Sequence, residues 1–505
     1  MSRVFLSSFS ERIIVFKIYD WVILSVIFIC SYYYSLFLPL NFDEAYNLQV
    51  PIRLVTNQRY DTIYHTRNYD AFTSITTGPT VLFPVAFFFK ILGIGILQAR
   101  IVPIMFFYAL LVMFYILSIY YFDNRMYGFT LTLMILSISQ IEIAFYVLGE
   151  IASLFFLILG IAIWSTDNRY KYLSFVIMGL SVVTKLYFIF SIIPLSITLL
   201  LSKSKNKYLL KQKIVEILLC SLCFVLPFFV YESIKLINFG FGGYLKYYNV
   251  LREFARSQIV EDVIQQNDLY IDLLRQKLIT IAKGIFPKIP TPLTGLLFVG
   301  IKINFFNHIR QEVTKYRRFY IALYLLFVTY LIWFVFIDAM GWWRRMLPFG
   351  IVALYLVCDF FRTWLNHLKS QLLYISFKLI IAFMFIAFIL PTFTERYANM
   401  QYYHQALIAQ RKFAERVNHY IVKGYKIGVY GWWQAPEISF LLGGVKFKHF
   451  QCGKKYSKNF LVIYTKLHEN ILPQDAERLR HCLSDMIEVS ADQQYYLYTP
   501  KNNNP

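Results

Sequence analysis

Long apolar runs separated by short polar connections dominate this chain. The first extends from about Ile18 to Leu38 and closes at Pro39. Others cover roughly 97–121, 128–147, 151–165, 172–187, 188–202, 214–234, 284–304, 319–337, 345–361 and 373–391, eleven runs in all. Most are long enough to cross a hydrocarbon layer of about 30 Å as helices, which needs about 17–25 residues. Short alternating segments, as a barrel would show, are not the pattern here. Pro79–Leu92 is apolar but short, is interrupted by Pro84 and is followed by Gly93 and Gly95. It predicts a helix lying in the membrane interface rather than a crossing. From about Thr392 the pattern changes. A polar and aromatic amphipathic helix is expected over 394–423. Strands follow at 426–430, 460–464 and 494–498, with helices at 435–442 and 473–483. Strands alternating with helices indicate a small α/β domain. The fold class expected is an all-α polytopic membrane protein over 1–391 with a C-terminal α/β domain over 392–505.

Composition agrees with that pattern. Of 505 residues, 58% are hydrophobic and only 16% charged, against about 25% charged in soluble domains. The formal net charge is +21. The excess collects in alternate connections: Arg125, then Arg169 and Lys171, Lys203 to Lys213, Arg310 to Arg318, and Arg362 with Lys369. Lys and Arg mark cytoplasmic loops. The N-terminus is therefore expected in the cytoplasm. The loop after the first span, the loop at 235–283 and everything after about 391 are expected outside. Charge used for orientation does not indicate nucleic acid as a partner. The first run lacks a small-residue cleavage site and is expected to remain as a span. Cys30, Cys220, Cys223 and Cys358 fall inside apolar runs and read as small buried hydrophobes. Cys452 and Cys482 lie beyond the spans, where an oxidising compartment permits a disulfide; the sequence leaves their pairing open.

The candidate chemistry begins at Asn41-Phe-Asp-Glu-Ala-Tyr-Asn47, directly after the first span. An acidic side chain costs roughly 2.5–3.5 kcal/mol at mid-bilayer, less at its edge, so an adjacent pair there suggests function; the plain alternative is a solvated loop. On the same expected face lie Arg100, Glu142, Glu150, Lys185, Asp338, Arg344 and Arg345, the last two beside Trp342 and Trp343. A carboxylate can deprotonate an acceptor hydroxyl, and cations can hold a phosphate leaving group. Arg suits phosphate through its planar fork. Structural alternatives stand beside each: Lys185 pairing with Glu150, Arg100 tying its helix to the loop, and the tryptophans as an interfacial belt. No His, Cys and Asp cluster has metal-ligand spacing. No cofactor is expected, and a divalent metal is left open.

These phrases, taken in order, resemble the C-type (GT-C) glycosyltransferase superfamily, which uses polyprenyl-phosphate sugars. The family's acidic pair after the first span is matched by Asp43-Glu44-Ala45. Its later phrases are matched by Phe89-Lys90-Ile91-Leu92-Gly93, Ala99-Arg100-Ile101-Val102-Pro103, Thr184-Lys185 and Trp343-Arg344-Arg345-Met346-Leu347-Pro348. The resemblance covers about residues 15–391 and implies a GT-C fold of about 11 spans with interfacial helices in the first outer loop. It implies Asp43 as catalytic base, Glu44 as its companion and Glu150 as a second acidic site residue. One departure matters. Aminoarabinose transferases carry a Lys before the proline of the first-loop segment, reaching the donor phosphate. Here that phrase is Thr76-Thr77-Gly78-Pro79. Phosphate binding is then expected to shift to Arg344, Arg345, His65, Arg67 or Lys185. The implied donor is an undecaprenyl-phosphate-linked hexose, glucose first, and the implied acceptor a hydroxyl of a surface glycan such as lipopolysaccharide O-antigen. The implied place is the bacterial inner membrane with the C-terminal domain periplasmic. Lipid A or protein glycosylation within the superfamily, and transport of a polyprenyl-linked glycan, are the alternatives.

Overall fold

The computed structural model describes residues 17–62, 77–122, 125–201, 210–257, 267–285, 291–310, 315–338, 342–366, 371–430, 435–457, 459–466, 473–484, 486–491 and 495–501. The helices in chain order are α1 (Ile18–Ser35), α2 (Phe42–Asn57), α3 (Pro79–Leu92), α4 (Ile96–Phe122) and α5 (Arg125–Leu136). Then come α6 (Glu150–Thr166), α7 (Lys171–Thr184), α8 (Ile192–Leu201), α9 (Leu210–Ser257) and α10 (Asn267–Ile285). The series continues with α11 (Thr291–Arg310), α12 (Lys315–Ile332), α13 (Trp343–Asn366), α14 (Gln371–Val422), α15 (Pro436–Leu441) and α16 (Pro473–Leu483). Each expected span contains helical backbone among the described residues. Among the described residues five helices are long and apolar enough to cross a membrane: Ile18–Ser35, Ile96–Phe122, Lys211–Asn249, Tyr316–Ile337 and Trp343–Leu365. Some of the others are interrupted by breaks in the helix. The chain is a polytopic, largely helical membrane protein.

The expected span at 128–147 shows such a break: α5 ends at Leu136 and a short 3-10 turn occupies Ile141–Phe145. Polar partners meet the freed backbone groups. The Arg396 guanidinium donates to the carbonyls of Leu136 and Ile138. Trp343 Nε1 donates to the Ser139 carbonyl at 2.9 Å, and the Ser139 N–H to the Gly284 carbonyl at 3.0 Å. Non-helical backbone at membrane depth requires such internal partners. The segment 235–283, read from sequence as a loop, is helical where described, with a kink at Gly240 (φ 65°). The amphipathic helix expected from residue 394 continues the last span without interruption, forming the 52-residue α14.

The chain divides into two compact units, one of 1–33, 76–81 and 101–398, the other of 34–75, 82–100 and 399–505. In the first, α7 lies between α6 and α9. Glycines allow the close approach. A Cβ at Gly160 would meet the Ser174 carbonyl oxygen at 2.6 Å, and one at Gly179 the Phe224 carbonyl oxygen at 2.1 Å. Small residues at helix contacts are the usual route to tight packing in lipid. Charge buried in this unit is partnered: Asp359 accepts from Asn304 at 2.7 Å and Arg362 at 2.8 Å and bonds His308 at 2.9 Å.

The second unit holds a five-stranded sheet of β1 (Lys426–Val429), β2 (Lys448–His449), β3 (Phe460–Thr465), β4 (Met486–Ala491) and β5 (Tyr495–Pro500), in order β2-β1-β3-β5-β4. β1 is parallel to β2 and β3; β5 is antiparallel to β3 and β4. Central β3 is buried along its length. Its side chains alternate between faces. Leu461 and Ile463 join Phe413, Val417 and Ile438, from the end of α14 and from α15. Phe460, Val462 and Tyr464 join Leu479 and Leu483 of α16. Cys452 and Cys482 form a disulfide across a sequence separation of 30.

Candidate active site

α2 begins where the sequence places its acidic pair. Asn41 caps it, its side-chain oxygen accepting from the Asp43 N–H at 2.9 Å. Asp43 and Glu44 in the first turn favour a helix start, where the backbone dipole is positive. The two acids then diverge. Asp43 is half-buried. Glu44 is fully buried and faces Arg100: Nε donates to Oε1 at 3.0 Å and Nη2 to Oε2 at 2.7 Å. The same guanidinium donates to the carbonyls of Ser35, Leu38 (2.8 Å) and Pro39 (2.9 Å). Arg100 thus ties the start of α4 to the turn that ends the first span, and Glu44 neutralises it there. Gln410 of α14 clasps Leu40 in this unit, accepting from its N–H at 2.9 Å and donating to its carbonyl at 3.1 Å.

One carboxyl in this unit carries no sequence signal. Glu437 lies in the first turn of α15, which packs on α2. It is 1% exposed. Burial pushes its carboxyl up to about 7; the charge of Asp43 adds to this and a backbone hydrogen bond opposes it. An acid in a short Ala-Pro-Glu-Ile phrase looks like any helix start, so only tertiary packing reveals it. α3 belongs partly to the same unit. Its 14 residues span about 21 Å at about 1.5 Å each. Phe83, Phe87 and Ile91, four apart on one face, are exposed, which suits an interfacial helix.

The first unit holds the other candidate residues. Lys185 ends α7 in extended conformation. Its Nζ donates to the Leu148 carbonyl at 2.6 Å, lies 3.5 Å from Thr77 Oγ1 and pairs with Glu150 at 3.3 Å. Glu150, buried, opens α6. Arg344 lies over the Trp342 ring, 4.3 Å from its centre, and Arg345 lies 5.1 Å from the same ring while pairing with Asp338. Tyr187 lies within electrostatic reach of Glu150, Arg344 and Arg345. Its hydroxyl is buried without a hydrogen-bond partner among the described residues, and its ring stacks on Trp333 at 5.2 Å. Nothing in the sequence singles it out, because it sits in an aromatic run, Leu-Tyr-Phe-Ile-Phe. His65 and Arg67 lie outside the described residues. Among the described residues no group of three or more His, Cys, Asp or Glu could hold a metal ion.

No protein-family model and no curated protein matches the sequence. Solved structures do. The chain is similar to ArnT from Cupriavidus metallidurans bound to undecaprenyl phosphate, at 11% identity and a TM-score of 0.55, covering 97% of this chain and 100% of that one. It is similar to the apo state of the same protein at 11% identity and a TM-score of 0.53, covering 95% and 98%.

Proposed function

We propose that this chain, a multi-pass membrane protein with the fold of the GT-C glycosyltransferase superfamily, is an inverting glycosyltransferase that uses undecaprenyl-phosphate-linked sugar. The observation that carries this reading is likeness over nearly the whole chain to a structure that holds undecaprenyl phosphate. The sugar is a hexose, glucose first, and the acceptor a hydroxyl of a surface glycan such as lipopolysaccharide O-antigen. Residues 1–391 form the catalytic membrane region and 392–505 a periplasmic α/β domain, in the inner membrane with the N-terminus in the cytoplasm. The Cys452–Cys482 disulfide supports that placement, because such bonds persist in oxidising compartments.

In the proposed reaction Asp43 takes the proton of the acceptor hydroxyl as its oxygen attacks the anomeric carbon. The bond from that carbon to the phosphate oxygen breaks, and undecaprenyl phosphate leaves as an anion. Phosphate is a good leaving group, so no strong general acid is needed. Arg344 and Arg345 hold the phosphate, with the Tyr187 hydroxyl as a further donor. Lys185 stands beside Thr77, in the phrase where aminoarabinose transferases carry their phosphate-binding lysine, and supplies a cation there from another helix. Glu44 supports the loop through Arg100.

The test is to incubate the purified protein with undecaprenyl-phosphate-hexoses and candidate glycans. Release of free undecaprenyl phosphate with transfer of the sugar is expected. Movement of the intact donor across a bilayer without its cleavage would replace this reading with transport.

A further inference from the structure

α12 does not end as an ordinary helix. It runs into a π-turn, Trp333–Ile337, in which the Asp338 N–H donates to the carbonyl of Trp333, five residues back, at 3.0 Å. Single π-turns inside helical segments are rare and are frequent at functional sites. This one meets two of the side chains assigned above to the phosphate. Trp333, inside it, stacks on Tyr187, the ring centres 5.2 Å apart and the planes 3° from parallel. Tyr330, just before it, donates from its hydroxyl to the Tyr187 carbonyl at 3.1 Å. Asp338, which closes it, is buried, and its carboxylate accepts from Arg345 Nη1.

The end of any helix leaves carbonyl groups without partners inside the helix. Here a cation from another helix meets them. Lys277 of α10 is 1% exposed. Its Nζ donates to the Val335 carbonyl at 3.0 Å and to the Asp338 carbonyl. Burying an ammonium group is costly unless hydrogen bonds and opposite charge offset it. An apolar side chain would fill the same space without that cost, so the role of Lys277 lies in the carbonyls it holds.

We propose that Lys277 is a positioning residue for the donor phosphate, given the reading of Arg345 and Tyr187 as groups that hydrogen-bond it. Lys277 pins the π-turn. The π-turn then sets Arg345 through Asp338 and Tyr187 through Trp333 and Tyr330. A guanidinium has its N–H groups in a rigid planar fork, so a carboxylate bound on one edge fixes the plane of the whole group. Without Lys277 the turn can relax towards α-helical bonding, which rotates Asp338 relative to Trp333. Arg345 and Tyr187 would then be misaimed together. All these contacts lie within the first compact unit.

Binding of farnesyl phosphate, a short polyprenyl phosphate, to the purified full chain in detergent tests this, with farnesol as the ligand that lacks the phosphate. Lys277→Met is expected to raise the Kd for farnesyl phosphate about ten-fold, a usual size for coupling within one contact network, and to leave that for farnesol unchanged. Lys277→Arg, which can donate to both carbonyls, should restore binding to within about three-fold of wild type. Lys277→Gln should fall between the two and carries the test if Lys277→Met does not fold. Equal losses for farnesyl phosphate and farnesol would make Lys277 merely structural and overturn the proposal. So would unchanged binding of farnesyl phosphate by Lys277→Met or Lys277→Gln where Arg345→Gln weakens it. Unchanged binding by Arg345→Gln would instead overturn the reading of the phosphate site from which the positioning role follows.

Discussion

Asp43 and Glu44 are neighbours in sequence with different fates. Asp43 stays half-buried at a capped helix start, while Glu44 is sealed against Arg100. Asp43→Asn is therefore expected to fold normally and to lower turnover by about 10²–10⁴, the usual contribution of a general base; release of undecaprenyl phosphate under saturating donor measures it. Arg100→Leu should behave in the opposite way. It strands the Glu44 charge and unpairs three carbonyl groups, and breaking a buried pair costs about 3–5 kcal/mol. Its thermal unfolding should shift sharply downward, and much of the protein should be lost during purification. The sequence made Asp43-Glu44 conspicuous through its position after an apolar run. It did not distinguish the two acids, because their difference is the presence of a guanidinium 56 residues away.

The helices show how far periodicity carries. The spans at 97–121 and 345–361 are legible because predominantly apolar composition coincides with unbroken helix in α4 and α13. The break at 137–149 is not legible: its polar residues are interleaved with apolar ones, and the partners that meet its backbone groups come from Gly284, Trp343 and Arg396. Packing between helices is likewise hidden. Gly179 is one glycine among many in sequence, but in the fold its hydrogen faces the backbone of α9 at Phe224. Gly179→Ala places a Cβ where no flexible atom can yield, and overpacking of this kind costs about 1–3 kcal/mol. A lower melting temperature in detergent is expected, while the exposed Gly242→Ala, with open space around its Cβ position, should melt like the wild type.

Two properties belong to the molecule as a whole. The disulfide closes a loop of about 30 residues in the C-terminal α/β region, and bonds of this kind contribute about 2–4 kcal/mol. Cys452→Ser should unfold that region earlier in denaturant and abolish the sensitivity of its transition to reductant. The second is pH linkage. Glu437 binds its proton more tightly folded than unfolded, with its carboxyl raised from 4.5 to about 7. Its contribution is therefore full below about pH 4.5, declines as pH rises towards 7, and is gone above it. At about 1.4 kcal/mol per pH unit the loss is of order 3 kcal/mol. Denaturant titrations across that window should show this slope in the wild type and not in Glu437→Gln.

Sequence alone determined that the chain lives in a membrane, where its long apolar runs lie, and that a small α/β region follows, because apolar length and strand alternation are local properties. It also marked Asp43, since a carboxylate at the end of a span is costly without a use. Which acid is sealed and which remains accessible, that Tyr187 lies within electrostatic reach of Glu150 and two arginines, and that Glu437 is buried were decided only by tertiary structure. Burial and the proximity of charges depend on elements hundreds of residues apart, and no local pattern encodes them.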